Sequence, residues 1–301
     1  MKFKKILVPT DFSDNAEQAL AYAAQIATKY DGKITLFHVI SLFQDDPNNP
    51  AYRFPNYEQV LSTMEETAQE RFEKLEHEHK NVPIKKETVR GISAAEEIIS
   101  YAQSKKYDLI VMGTHGRTGL SHFLMGSVAE NVIRHQPCPV LTIKQVKKEK
   151  IVAPKLEKFV VAVDFSNYSK MALVHAIDLA KIFGASLEVL YVIEEQIHPA
   201  FFVTGETSVL NIIPDLREKS IEALQEYVEK ELKEKVEYST HVREGRAHSE
   251  IMHFAEEQNA DMIFMATHGL SGLDHFLIGS TTEKVVRKAI TPVFTVKAET
   301  H

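Results

Sequence analysis

The chain has 301 residues, of which 44% are hydrophobic and 26% charged, enough apolar material for the cores of two ordinary soluble domains. Its formal net charge of −7 argues against a dedicated nucleic-acid surface, because non-specific DNA binding depends on clustered Lys and Arg. A single cysteine, Cys138, excludes an internal disulfide, and we find neither a membrane-length apolar run nor a signal peptide, so the sequence predicts a cytoplasmic protein.

The sequence repeats itself at a constant offset of 153 residues, which aligns Asp11 in VPTDFS with Asp164 in AVDFS. A fixed offset over most of the chain indicates two copies of one domain. The copies are separated by a lysine-rich segment, KQVKKEKIVAPKLEK, whose composition is typical of a linker. We therefore predict a first domain at 1–146, a linker at 147–155 and a second domain at 156–301.

Within one copy, short apolar segments alternate with segments whose apolar residues recur at helical spacing. The predicted strands of the first copy are KKILVP, KITLFHVI, IKKETV, DLIVMG and PVLTI. The predicted helices between them are SDNAEQALAYAAQIATKY, residues 58–79, AAEEIISYAQSK and SVAENVIRH. Strands joined by helical crossovers form a parallel, doubly wound sheet, which binds ligands at the carboxyl ends of its strands. The predicted fold class is α/β, with one five-stranded sheet in each copy.

A glycine-containing loop follows the fourth strand of each copy, MGTHGRTGLSHFLMGS at 112–127 and MATHGLSGLDHFLIGS at 265–280. Ser127 followed by Glu130 matches the Ser-x-x-Glu capping box, and the second copy repeats it, so each serine is expected to cap a helix. The first turn of a helix presents unpaired backbone N–H groups that an anion can reach closely beside glycines. The loop predicts a phosphate site, while turns and helix caps alone would explain the same residues.

The spacing of these residues resembles the ATP-binding branch of the universal stress protein family, and the resemblance covers both halves of the chain. The fingerprint of that branch, G-x2-G-x9-G-[ST], is matched by Gly113, Gly116, Gly126 and Ser127. The resemblance implies an adenine nucleotide α-hydrolase-like fold with strand order 3-2-1-4-5. It also implies ATP, with Mg²⁺ held mainly by phosphate oxygens and water, between the ends of strands one and four. The two domains would pair through their fifth strands, and a homodimer of whole chains is left open.

The resemblance further implies which residues contact the nucleotide. In the first copy they are Pro9, Thr10, Asp11, Val39, Met112, Gly113, Gly116, Gly126, Ser127 and Val128. In the second copy they are Ala162, Val163, Asp164, Val192, Met265, Gly269, Gly279, Ser280 and Thr281. Because Ala266 replaces the leading glycine and Val163 removes the hydroxyl of Thr10, we expect the second site to be weaker. Asp11 has an alternative role as the cap of the helix that starts near Ser13.

Two classes of function fit this sequence. The first is a cytoplasmic ATP-binding stress-response or regulatory protein in which nucleotide occupancy changes conformation or partner binding, and the intact fingerprint favours it. The second is a module of the same fold that pairs and scaffolds without nucleotide. Efficient catalysis is disfavoured, because the turn PTDFSD has no glycine and neither a Walker lysine nor a base–nucleophile pair accompanies the loop. We expect slow ATP hydrolysis at most, with no protein metal site and no nucleic-acid or membrane partner.

Overall fold

The computed structural model describes residues 2–41, 57–114, 125–144, 154–194, 215–232, 236–269 and 278–297. Its contacts divide the chain into two compact units, Lys2–Pro154 and Lys155–His301. Most of the predicted linker lies outside the described residues, as does Gly116 of the predicted phosphate loop. No helix in the described part of the chain is long and apolar enough to cross a membrane.

The first unit alternates strands and helices in the predicted order. Its strands are β1 (Lys5–Pro9), β2 (Lys33–Ser41), β3 (Ile84–Gly91), β4 (Leu109–Gly113) and β5 (Val140–Ile143). Its helices are α1 (Asp14–Tyr30), α2 (Tyr57–Glu78), α3 (Ala94–Lys105) and α4 (Ser127–Arg134). All pairings are parallel in the order β3-β2-β1-β4-β5, so the predicted fold and the order 3-2-1-4-5 are confirmed.

The second unit repeats this architecture. Its strands are β6 (Lys158–Val163), β7 (Ser186–Glu194), β8 (Tyr238–Gly245), β9 (Met262–Ala266) and β10 (Val293–Val296). Its helices are α5 (Asn167–Phe183), α6 (Leu216–Glu231), α7 (Ala247–Glu257) and α8 (Ser280–Lys288). Its parallel strands follow the order β8-β7-β6-β9-β10, which is the strand order of the first unit.

The central strand of each unit is a continuous apolar run that is buried on both faces. Ile6, Leu7 and Val8 of β1 have no exposed surface, nor do Val160 and Val161 of β6. Such runs are expected in parallel sheets because crossover helices cover both faces. Pairing of the fifth strands of the two units stays a prediction.

In each unit, an aspartate accepts hydrogen bonds from the backbone at the amino end of the central strand. Asp108, just before β4, accepts hydrogen bonds through Oδ2 from the backbone N–H groups of Lys4 and Lys5, at 2.9 and 2.8 Å. Asp261 makes the same pair of bonds, at 2.8 and 3.0 Å, to the backbone at the start of β6. The predicted ligand edge is at the opposite, carboxyl end of these strands, so the two aspartates have a structural role.

The repeat extends to backbone conformation. Helix α3 ends at Lys106 with φ 52°, and helix α7 is followed by Asn259 with φ 50°. Helix α1 ends at Asp31 with φ 48°, where the second unit has Gly184 with φ 72°. Left-handed residues commonly end helices, and glycine or asparagine adopts that conformation at least cost. Asn259 and Gly184 of the second unit are therefore better suited to the left-handed conformation than Lys106 and Asp31 of the first unit.

Candidate functional site

A cleft of about 260 Å³ lies at the carboxyl ends of β1, β2 and β4 of the first unit. It brings together all the first-copy residues that were predicted to contact a nucleotide and that the structure describes: Pro9, Thr10, Asp11, Val39, Met112, Gly113, Gly126, Ser127 and Val128. The crevice position agrees with the rule that ligands of doubly wound sheets bind beyond the carboxyl ends of the strands.

Six further cleft residues were missed by the sequence reasoning: Phe37, His38, Ala94, Ile98, Thr114 and Ala129. Phe37 and His38 belong to the second half of β2, Thr114 directly follows β4, and the other three lie in the first half of α3 or α4. Position at that edge was therefore the available signal, since no motif marks these residues.

The turn after β1 is held by the side chains of Thr10 and Asp11. The hydroxyl of Thr10 accepts a hydrogen bond from the backbone N–H of Phe12 at 2.9 Å, and Oδ1 of Asp11 accepts one from Ser13 at 3.0 Å. Ser13 itself caps α1, because its hydroxyl accepts a bond from the N–H of Ala16 at 3.4 Å. The alternative role of Asp11 as the helix cap is therefore wrong, and its carboxylate instead braces the turn that borders the cleft.

Phe12 occupies the left-handed region, with φ 62°, although it is not a glycine. Such a conformation costs about 1–3 kcal/mol and persists only where the surroundings fix it. The ring of Phe12 lies 4.7 Å from that of His38 and 5.2 Å from that of Phe72, and Nδ1 of His38 is 2.8 Å from the carbonyl oxygen of Thr10. Strand β2 and helix α2 thus hold the turn in place.

Helix α4 begins differently from the sequence prediction. Gly126 is the N-cap residue, with φ −64° and ψ 141°, and no side chain of the described residues caps the helix. The N–H of Gly126 donates to the carbonyl oxygen of Thr114 at 2.7 Å, which fixes the glycine at the cap position and places Ser127 inside the first turn. The predicted capping box is therefore wrong. Glu130 forms a hydrogen bond with Arg134 instead, at 2.8 Å.

The start of α8 has the same arrangement. Gly279 is its N-cap and donates its N–H to the carbonyl oxygen of Thr267 at 2.7 Å, so the predicted cap role of Ser280 is also wrong.

Without a side-chain cap, the first-turn N–H groups of a helix are available to another acceptor. In the first unit these groups belong to Ser127, Val128 and Ala129, which line the cleft. The start of α4 is therefore suited to an anion.

Packing explains why the first position of the fingerprint, Gly113, is a glycine. A Cβ atom placed on Gly113 would lie 2.8 Å from Cβ of Asn15 and 3.0 Å from its carbonyl carbon, at the start of α1. In the second unit the corresponding residue is Ala266, which is 8% exposed, and Tyr168 replaces Asn15. The close approach between strand end and helix start therefore requires glycine only in the first unit.

The second-copy residues lie at the matching edge of their own sheet. Ala162, Val163, Val192 and Met265 are buried at strand ends, while Gly279, Ser280 and Thr281 form the start of α8.

Asp164 accepts two hydrogen bonds through Oδ1, from the N–H of Ser166 at 3.0 Å and from its hydroxyl at 2.5 Å. A Cβ atom on Gly269 would lie 2.5 Å from the other carboxylate oxygen. The pKa of Tyr227, which donates to the carbonyl oxygen of Ser166 at 3.2 Å, is raised mainly by burial and further by the charge of Asp164. The carboxylate of Asp164 is thus part of a packed polar cluster with Ser166 and Tyr227.

The fold defines an α/β protein with two doubly wound units in tandem, and the first unit has a glycine-bordered cleft. The universal stress protein family model matches residues 2–144 and 155–297. The chain therefore belongs to the universal stress protein family and carries two domains of that family in tandem.

This chain is similar both to relatives that match one of its halves and to relatives that match its full length. A universal stress protein of Methanocaldococcus jannaschii is 39% identical over 152 residues, which cover 49% of this chain and 85% of that protein. A universal stress protein of Mycolicibacterium smegmatis is 26% identical over 301 residues, covering 97% of this chain and 96% of that protein. The solved structure of a universal stress protein from Archaeoglobus fulgidus is 25% identical, covers 99% of each chain and has a TM-score of 0.67.

Proposed function

We propose that the first unit binds ATP in the cleft between the ends of β1 and β4, and that occupancy of this cleft regulates the conformation of the chain or its binding to partners. The observation that carries the proposal is the meeting of the turn at Asp11 with the uncapped start of α4 in one cleft. One element suits a nucleoside and the other suits a phosphate.

The nucleoside would lie against the apolar part of the cleft. Val39, Met112 and Ile98 offer apolar surface for a base, while the carboxylate of Asp11 is placed at the rim to accept a hydrogen bond from ribose hydroxyls. Thr10 contributes through the turn, since its hydroxyl oxygen already accepts a bond from Phe12. The role of Thr10 is therefore to fix the position of Asp11.

The phosphates would lie at the start of α4. Backbone N–H groups and about half a positive charge at a helix N-terminus stabilise an anion there, and Gly126 presents no side chain toward it. Among the described residues, no group of three or more His, Cys, Asp or Glu is arranged to hold a metal ion. Magnesium would accompany the triphosphate, held by phosphate oxygens and water, and would neutralise part of its charge.

The cleft favours binding over catalysis. Of its described lining residues, Asp11 and His38 carry titratable side chains, and both act in the turn after β1. We therefore expect little or slow hydrolysis, with the nucleotide acting as a regulatory ligand.

The test compares nucleotide binding of the full chain with that of Gly126→Val. The backbone of Gly126 is extended and accessible to any residue, so valine causes no backbone strain and its side chain alone obstructs the phosphate. We expect saturable heat with ATP and magnesium in titration calorimetry, weaker heat with GTP, and at least about tenfold weaker ATP binding by the variant.

The control for this comparison is Gly126→Ala, which adds a single methyl group and should bind with intermediate affinity. Circular dichroism and thermal unfolding establish that each variant is folded. Nucleotide released by denaturing the purified protein, resolved by anion exchange, gives an independent readout. An absence of both released nucleotide and ATP-dependent heat would favour the scaffold function instead.

A further inference from the structure

We propose that the start of α7 and the adjoining face of α8 form a docking surface for an acidic segment of a partner protein. The surface is a basic cluster whose members are Arg246, His248, Lys284 and Lys288. The inference goes beyond the proposed function, because it concerns the second unit and does not require ATP to bind anywhere in the chain.

The basic cluster is a feature of the second unit alone. At the 153-residue offset of the repeat, its members correspond to Ser93, Ala95, Asn131 and His135 of the first unit. The first unit forms the equivalent helices, α3 and α4, without an arginine or a lysine at these positions. The fold therefore does not require the cations of the second unit.

Arg246 stands at a position where a helix disfavours a cation. It is the N-cap residue of α7 and makes no side-chain cap bond, whereas the hydroxyl of Ser93, at the same position of α3, accepts a hydrogen bond from the N–H of Glu96 at 3.4 Å. Serine at an N-cap stabilises a helix, and a positive charge there opposes the helix dipole. The helix itself thus gives no reason for the arginine.

The members of the basic cluster also lack the ion pairs that most surface arginines of this chain form. Carboxylates pair with Arg90, Arg134, Arg217, Arg243 and Arg287, while Arg71 lies over the ring of Phe12. Within the part of the chain that the structure describes, no member of the basic cluster forms a salt bridge. Arg246, Lys284 and Lys288 are exposed, so their charges are accessible to an anion from outside the chain.

The cations of the cluster converge across two packed helices. Helices α7 and α8 contact each other, and Lys284 and Lys288 lie on one face of α8 because they are one turn apart. The pKa of His248 is lowered first by burial and then by the charges of Lys284, Lys288 and Arg246, so all three cations lie within electrostatic reach of this side chain. Like charges held together repel one another, and an anion placed among them would be stabilised.

A carboxylate of the chain itself already lies at the edge of the basic cluster. The N–H of Ala247 donates to Oε1 of Glu194 at 3.3 Å, and the charge of Glu194 raises the pKa of His248 against the effect of the cations. This single carboxylate leaves an excess of positive charge. Further Asp or Glu side chains from a partner would supply the same chemical group.

The charge of the whole chain favours a short acidic segment over a long polyanion. The formal net charge is −7, so a nucleic acid that extended beyond the basic cluster would meet a negatively charged surface. An acidic peptide segment can place its carboxylates within the cluster and end there.

The first arm of the test measures binding of a fluorescein-labelled oligoglutamate peptide to the full-length protein by fluorescence anisotropy, without nucleotide. We expect saturable binding that weakens as salt is added, because salt screens exposed charges. Lys284→Asn with Lys288→His, which introduces the residues of the first unit, should weaken binding by about tenfold.

The matched control is Lys33→Asn with Lys80→His, which makes the same substitutions at exposed lysines near the amino ends of β2 and β3. It should leave peptide binding nearly unchanged. Equal weakening by the two double variants would show that only the net charge of the chain matters, and the docking surface would be refuted.

The second arm uses Arg246→Ser, which separates docking from helix stability. Serine supplies the cap that α7 lacks, so thermal unfolding should shift to higher temperature while peptide binding weakens by a few fold. A stabilised variant that bound the peptide as tightly as the original chain would show that Arg246 takes no part in docking, and the inference would fail.

The third arm tests the class of partner by competition with the bound peptide at constant ionic strength. A single-stranded oligonucleotide as long as the peptide, and inorganic phosphate, should each displace it less effectively than unlabelled oligoglutamate. Stronger displacement by either competitor would overturn the assignment to an acidic protein segment. Absence of saturable peptide binding would overturn the inference whether or not the first unit binds ATP, so the two proposals fail independently.

Discussion

Gly269 and Asp164 lie so close together that a Cβ atom on the glycine would be 2.5 Å from Oδ2 of the aspartate. The glycine is therefore needed to let the carboxylate occupy its place beside the loop that follows β9. This contact links the turn after the first strand of the unit to the loop after the fourth.

Gly269→Ala is expected to destabilise the chain by about 1 kcal/mol, because the new methyl group would displace the carboxylate of Asp164, whose Oδ1 accepts two hydrogen bonds from Ser166. In a chain that already carries Asp164→Ala, the same change should cost much less, because the clashing oxygen is gone. A double-mutant cycle measured by calorimetric unfolding gives the coupling directly. Additive effects of the two changes would contradict the contact.

Gly113→Ala is expected to be costly in the first unit because its methyl group would meet the backbone of Asn15, which has no freedom to rotate away. We expect a loss of about 1–3 kcal/mol in the free energy of unfolding. The matched control is Ala266→Gly, which removes a methyl group at the same position of the second unit. Denaturant titration should show a smaller change for the control, about 1 kcal/mol, and equal losses would refute the packing explanation.

Lys106→Gly is expected to stabilise the first unit. Lys106 ends α3 with φ 52°, a conformation that glycine adopts without the Cβ penalty, and the gain should reach up to about 1 kcal/mol. Lys105→Gly, one residue earlier and inside the helix, serves as the control and should be destabilising by a similar amount. Thermal unfolding of the two variants should therefore shift in opposite directions, and a shift in the same direction would contradict this explanation.

His175 is expected to make stability depend on pH. It is 2% exposed on α5, and burial lowers its pKa from an ordinary 6.5 to about 4, with Asp178 partly offsetting that effect. Between these values the unfolded chain binds more protons than the folded one, so stability is lost as the pH falls from 6.5 to 4. The contribution is about 3 kcal/mol.

The measurement is the free energy of unfolding from denaturant titrations between pH 7 and pH 4. His175→Leu should reduce the decline over this range, while His253→Leu, at a side chain that is 65% exposed, should leave it nearly unchanged. If both variants declined as steeply as the original chain, His175 would not be the group responsible.

Much of the fold was predictable from local patterns. Helix α3 has its predicted limits because Ser93 caps its start and Lys106 ends it, both within a few residues of sequence. The order of the strands followed from the family resemblance. The cap of α4 was not predictable, because it depends on the bond from Gly126 to Thr114, whose strand-end position is set by tertiary structure.

The residues that line the cleft were predictable only in part, because some of them lie in motifs and others are brought there by tertiary structure. Asp11 and Gly126 stand in recognisable motifs, whereas Ala129 lines the cleft without belonging to one. The left-handed conformation of Phe12 also has no local signal, since it is imposed by ring contacts with His38 and Phe72. Residues whose role depends on partners distant in sequence were the ones that local reasoning missed.

The bonds made by Asp108 and Asp261 have a consequence for how the chain is made on the ribosome. Each joins residues up to 104 positions apart, so the central strand of a unit cannot acquire its second sheet partner until the segment containing β4 or β9 has left the exit tunnel. Contacts of such long sequence separation slow folding and leave apolar strand edges exposed in the meantime. The first unit can complete its sheet while the second is still being translated, so nascent chains should pass through two separate periods of vulnerability to aggregation.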